Sequence, residues 1–330
     1  MRPHLQNQDR AGSNAEPQMI PHCRNQTLDA IRSAWRWIGR VLMLFGLIFV
    51  GLRFWNYRNS IIDQLANPVL LGVVLAFSVV YAISGFSLAL GWWLILHSRA
   101  QAKSCLPWAT AWRTYGKTQI AKYIPGNIFH FTGRHFVSAS EGVPHALLIA
   151  TTTLEISMML IAAALISLLA VRDDIDLITS FGSYVPLTIG VAAILAASVS
   201  LFYLSRRLDV RALLDGMRWQ MLLGAQLSYL VFFLTSATLF LSLLRFGSEN
   251  GSASYGPVVF GSYSIAWAIG FLVPGAPAGM GVREAMLVTL LSGLLSEKTV
   301  LIAALLFRVI TTLGDVLFFS ASAITRAKRC

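Results

Sequence analysis

The chain has 330 residues, 56% of them hydrophobic and only 12% charged, with a mean hydropathy of +0.65. Soluble domains carry about 25% charged residues, so the composition excludes a soluble domain and marks an integral membrane protein. The net charge of +11 is spread over loops in the manner of membrane orientation, so no nucleic-acid partner is expected.

Residues 1–36 are polar, proline-containing and mixed in charge, and read as a disordered cytoplasmic tail. No small-residue cleavage site follows the first apolar run, which is expected to stay as a signal anchor. Runs long enough to cross a bilayer, roughly 20 residues each, are Trp37–Trp55, Pro68–His97, Ala146–Val171, Ser183–Leu204, Trp219–Leu244 and Val300–Ile324.

Two other apolar regions, Leu106–Val143 and Pro257–Leu295, are broken in the middle. The first contains the stretch from Lys117 to Arg134, with Pro125-Gly126 at its centre. Proline removes a donor and disfavours helix before it, while glycine accepts positive φ, so a helix arriving here stops. Asn127 is a suitable N-cap for a new helix that carries His130 and Arg134 on one face. A half-helix N-terminus beside Lys122, Tyr123 and Arg134 suits a phosphate or carboxylate. A kinked interfacial helix with snorkelling basic residues fits the same spacing. The second region is interrupted by Pro274, Gly275, Gly279 and Gly281, followed by Arg283 and Glu284. Both regions read as re-entrant helical hairpins, because irregular backbone at that depth survives only when buried or lining a wet cavity.

Of the 26 Lys and Arg residues, 18 fall on the side of the two termini and 5 on the other, so both termini are expected in the cytoplasm. The expected fold is an all-α polytopic membrane protein. It has about six full transmembrane helices plus two re-entrant hairpins, arranged as an inverted-topology repeat. The expected units are residues 37–171 as the first membrane repeat, 172–182 as an outer loop, 183–325 as the second repeat and 326–330 as a cytoplasmic tail. Pro125-Gly126 and Pro274-Gly275 are 149 residues apart, and so are Arg134 and Arg283.

Glu155, Arg308 and Asp315 lie within spans, where ionisable groups are costly and mark function. At the 149-residue offset Glu155 maps to position 304, one turn from Arg308. A Glu155–Arg308 pair between the repeats is therefore expected, either exchanged during transport or fixing helix packing. Ser78, Tyr81, Ser84 and Ser87 recur every third residue and fit helix packing better than ligand binding. Three cysteines make no disulfide framework, and no CxxC or HExxH occurs, so neither a metal nor a cofactor is expected.

The motif Lys122-Tyr123-Ile124-Pro125-Gly126-Asn127, then His130, Gly133-Arg134, the Glu141-Gly142-Val143-Pro144 turn, and Pro274-Gly275 through Gly279, Gly281, Arg283 and Glu284 resemble the flippase-like family. That family includes the transmembrane region of lysylphosphatidylglycerol synthase. The resemblance runs from about Arg113 to the last span. It implies a multi-pass protein of the bacterial inner membrane that moves an anionic phospholipid or a polyprenyl- or hopanoid-type lipid between leaflets; no nucleophile–base pair or cofactor motif argues for an enzyme. A membrane glycosyltransferase is an implied partner. The chain stops at Cys330 without a soluble aminoacyl-transfer domain, so lysyl transfer is not expected. A secondary solute transporter and a non-transporting partner of a glycosyltransferase are the alternatives.

Overall fold

A computed structural model describes Leu52, Trp55 and residues 68–98, 106–124, 127–172, 218–246, 256–273, 276–292 and 294–324. The span expected at 37–55 (apart from Leu52 and Trp55), the one at 183–204, both tails, the 173–182 loop and Pro125, Gly126, Pro274 and Gly275 lie outside them. Among the described residues all regular structure is helical. The α-helices are α1 Pro68–Leu96, α2 Trp108–Gln119, α3 Phe129–Ser140, α4 His145–Arg172, α5 Trp219–Phe246, α6 Gly256–Leu272, α7 Val282–Leu291 and α8 Glu297–Ile324. Two short 3₁₀ turns, Ile120–Tyr123 and Pro277–Gly279, follow α2 and precede α7.

The long elements are apolar and uninterrupted. Pro68 opens α1 at a position where its missing N–H costs nothing. At 1.5 Å per residue, 28 residues span about 42 Å, more than a bilayer core. Four segments, Pro68–Leu96, His145–Leu168, Trp219–Phe246 and Glu297–Ile324, are long and apolar enough to cross a membrane. These are four of the six spans expected from the sequence, and they make this an α-helical membrane protein.

The short helices fold back on the long ones. The Trp93 indole N–H donates to the Leu106 carbonyl at 3.0 Å, and Phe86 meets Trp112 at 5.1 Å between ring centroids. α2 therefore descends along α1 until Lys122 lies 6.0 Å from the Tyr81 ring, near the middle of α1. α3 then returns, bringing the Arg134 guanidinium to 5.4 Å from Trp92. The second half repeats the path. α6 descends along α5 through Phe240–Tyr263 at 6.0 Å and Phe233–Trp267 at 4.7 Å, and α7 brings Arg283 back beside Trp267 at 5.4 Å.

The pairings match across the halves. α1 packs on α5; α2 packs on α8 as α6 packs on α4; α1 packs on α8 as α5 packs on α4. Where α1 and α5 touch they run antiparallel, with Gly91 against Tyr229 and Gly224 against Leu94. Edge-on aromatic contacts join the halves at mid-depth, Tyr81 to Phe232 at 5.8 Å and Tyr81 to Phe307 at 6.4 Å. Ser78, Ser84 and Ser87 donate to carbonyls of their own helix, whereas Tyr81 of the same series lines a cavity.

One crossing is especially close. A Cβ on Gly314 of α8 would lie 2.7 Å from Tyr81 Cδ1 and 2.9 Å from the Ser78 carbonyl oxygen, which is backbone and cannot rotate away. Gly314→Val is expected to cost about 1–3 kcal/mol or more by overpacking. A Cβ on Gly72 of α1 meets nothing within 4 Å. Thermal denaturation in detergent should show a lower Tm for Gly314→Val and no loss for Gly72→Ala.

Candidate functional site: a cationic cavity between the two halves

The two broken segments end against each other. Asn127 sits in the left-handed region, with φ 53°, and its side-chain amide donates to the Phe271 carbonyl at 3.1 Å. Ile128, not Asn127, occupies the N-cap position of α3, which has no side-chain cap. The expected capping role is thus corrected: with positive φ, Asn127 turns its amide away from the helix start and ties the first break to the second. In the second break Ala278 has φ 48° and Gly281 has φ 79°. The Gly281 N–H donates to the Glu284 carboxylate at 2.7 Å, so Glu284 spends one oxygen on starting its own helix.

Around this junction lies a small cavity of about 40 Å³. Lys122, Tyr123, Asn127 and His130 from the first half line it, as do Arg283 and Arg308 from the second. Tyr81, Tyr115, Phe131, Phe232, Trp267 and Phe271 form aromatic walls, with Gln119, Met159 and Thr311 between them. Its chemistry is cationic, aromatic and sparse in free carboxylates.

The charges fall into three settings. The Lys122 ammonium is 2.6 Å from the Asp315 carboxylate, to which the Tyr123 hydroxyl also donates at 2.6 Å. Arg308 donates to the carbonyls of Ala278 at 3.0 Å and Pro277 at 3.2 Å, and lies 3.9 Å from Glu284. It therefore pins the second break to α8. Arg134, buried, pairs with Glu155 at 2.7 Å, and the Tyr115 hydroxyl donates to the same oxygen at 3.0 Å. Its guanidinium also stacks 3.8 Å from the Tyr115 ring centroid.

The expected Glu155–Arg308 pair is not formed. α3 and α4 are joined by a tight turn, so Arg134 reaches Glu155 within its own half, and Arg308 is taken up by carbonyls of the second break. Asp315 serves Lys122 rather than Arg308. Equal depth along two spans fixes neither the facing direction of a side chain nor its nearest counter-ion.

Of the residues singled out from sequence, Lys122, Tyr123, Asn127, His130, Arg283 and Arg308 meet at one cavity. Arg134 and Glu155 pair beside it through Nη1 and Oε1, while Arg134 Nε and Nη2 and Glu155 Oε2 are buried without partners. Glu284 caps α7, and Gly279 and Gly281 supply its positive-φ entry. Tyr81, Tyr115, Gln119, Trp267 and Phe271 were not anticipated as lining residues, since each is an ordinary component of an apolar helix. No group of three metal-binding side chains occurs among the described residues. Compared with protein-family models and with curated proteins, the chain matches none.

Proposed function

We propose that the protein is a lipid translocator of the flippase-like type, carrying an anionic or isoprenoid-linked lipid between the leaflets of a bacterial inner membrane. The observation that carries this reading is the cationic, aromatic-walled cavity where the broken segments of two matched halves meet. A head group is costly to move through hydrocarbon, and a polar cleft lowers that cost while the tails stay in the bilayer.

The architecture supports the same reading. A twofold relation between two antiparallel, touching helices lies across the helix axes, as in an inverted repeat, and inverted repeats with broken helices at mid-depth are a transporter design. α2 starts beside the end of α1, descends to its middle, and α3 returns. On this reading it is a hairpin entering and leaving from one side, and α6 with α7 is its mirror. The two further spans expected from the sequence, Trp37–Trp55 and Ser183–Leu204, would complete six. A partnership with a membrane glycosyltransferase would place the translocator beside the enzyme that builds or consumes its lipid.

Two measurements test the proposal. Cysteines introduced at Glu141 and Ser296, each at the turn after a short helix, should label from opposite sides of the membrane; labelling from one side removes the inverted arrangement. Purified protein in liposomes should speed the exchange of a tail-labelled anionic lipid at least about tenfold over protein-free vesicles, equivalent to lowering the barrier by about 1.4 kcal/mol. Uptake of a water-soluble anion without lipid exchange would make it a solute transporter instead.

A further inference from the structure

The two halves carry the same arginine in different electrical surroundings. Arg134 on α3 has Glu155 from α4 against it at 2.7 Å. Arg283, its counterpart 149 residues on, has no ion pair and no hydrogen bond to any described residue. Its Nε is buried without a partner, and its guanidinium lies over the Trp267 ring at 5.4 Å. The position in the second half that corresponds to Glu155 is Ala304, which is buried and lines a cavity together with Arg283. No carboxylate thus stands at the position equivalent to Glu155; Glu284 lines the same cavity but caps α7 and forms no ion pair with Arg283.

The other cations of the site have partners: Asp315 for Lys122, and two carbonyls with Glu284 nearby for Arg308. One positive charge is left over. Arg283 is half-buried, with Nε closed off from water, and a guanidinium partly desolvated without a counter-ion is stabilised when an anion joins it. His130 Nδ1 and Gln119 Oε1 are further buried polar atoms without partners, on residues 6% and 9% exposed that line the same cavity as Arg283. Three unsatisfied groups from both halves converging on one space point to a ligand.

We propose that Arg283 is the anion-binding group of this site and that its ligand carries a single negative charge, a phosphodiester or carboxylate taking the place that Glu155 fills in the first half. The assignment rests on the translocator reading and narrows its substrate class to monoanionic head groups. Dianionic monoesters bring one charge too many, and zwitterions bring an ammonium that Arg283, Lys122 and Arg308 repel. Arg134, already neutralised, is a positioning residue.

The test uses the full chain with tail-labelled lipids: phosphatidylglycerol as the monoanion, phosphatidic acid at mildly alkaline pH as the dianion, and phosphatidylcholine as the zwitterion. Binding is measured in detergent and exchange in liposomes. Phosphatidylglycerol should exceed both others about tenfold. Ala304→Glu, which restores the missing carboxylate, should remain monodisperse with an unchanged or higher Tm and lose binding and exchange of the monoanion about tenfold. Ala304→Gln, equal in bulk without charge, should keep at least about half of both.

A folded Ala304→Glu protein that handles the monoanion like the parent overturns the assignment. So does equal loss in Ala304→Gln, or a preference for phosphatidic acid. Should Ala304→Glu fail to fold, Arg283→Gln decides: retained monoanion binding refutes the assignment, and loss supports it. Arg283-dependent binding without exchange would sink the translocator reading alone. Exchange that ignores Arg283 would sink this assignment alone. Competition by free glycerophosphoglycerol as strong as by the lipid would transfer the ligand from a lipid to a soluble anion, against the translocator reading.

Discussion

Glu155→Ala should be the most destabilising single substitution in the first half, lowering stability by about 3–5 kcal/mol. Glu155 is fully buried and holds Arg134 at 2.7 Å and the Tyr115 hydroxyl at 3.0 Å. Removing it strands a guanidinium enclosed by Trp92, Tyr115 and Phe131. Breaking one side of a buried pair is costly, whereas replacing both partners with apolar groups of similar volume is often neutral. The double variant Arg134→Met with Glu155→Leu should therefore recover most of the lost Tm in detergent. If it also retains lipid exchange, the pair is structural. If stability returns and exchange does not, the pair takes part in transport. A Glu155→Ala protein as stable as the parent would mean that the carboxylate does not hold Arg134.

Lys122→Ala should cost stability and exchange together. It leaves Asp315, 5% exposed at its side chain, without its ammonium partner, although the Tyr123 hydroxyl still donates to the carboxylate. The loss should approach about 3 kcal/mol, the low end for a broken buried pair, since Lys122 keeps 15% exposure and water offsets part of the cost. A double-mutant cycle with Asp315→Ala isolates the interaction, and a coupling of about 1 kcal/mol or more is expected for groups in direct contact. On the translocator reading, Lys122→Met with Asp315→Leu removes one charge of each sign and leaves Arg283 in place, so it should fold with near-parental Tm and keep at least about half of the exchange of anionic lipid. Zero coupling would show that the 2.6 Å contact contributes nothing to the fold.

Much of the site was legible in the chain itself. Lys122, Tyr123, Asn127 and His130 cluster around one helix break, and Arg283 follows the other, so the motif alone brought the cavity's polar lining into view. Gln119, Trp267 and Phe271 escaped because nothing local distinguishes them from other residues of α2 and α6. Their role comes from where the second break lands against the first. The ion pairs were misassigned for the same reason. Position along a span gives depth, but the partner of a charge depends on which face it presents and on what the neighbouring helix offers there.

The sequence by itself determined that the chain is helical and membrane-embedded, where four of its spans run and where two helices break. These follow from hydropathy and from backbone chemistry acting over a few residues. Tertiary structure alone decided that Arg134 is neutralised and Arg283 is not, that Asp315 answers Lys122, and that the two breaks enclose one cavity. The Lys122–Asp315 and Asn127–Phe271 contacts join segments more than a hundred residues apart, and the Arg134–Glu155 pair depends on how two neighbouring helices face each other. Local preferences place a charge in the bilayer, and only packing chooses its counter-ion.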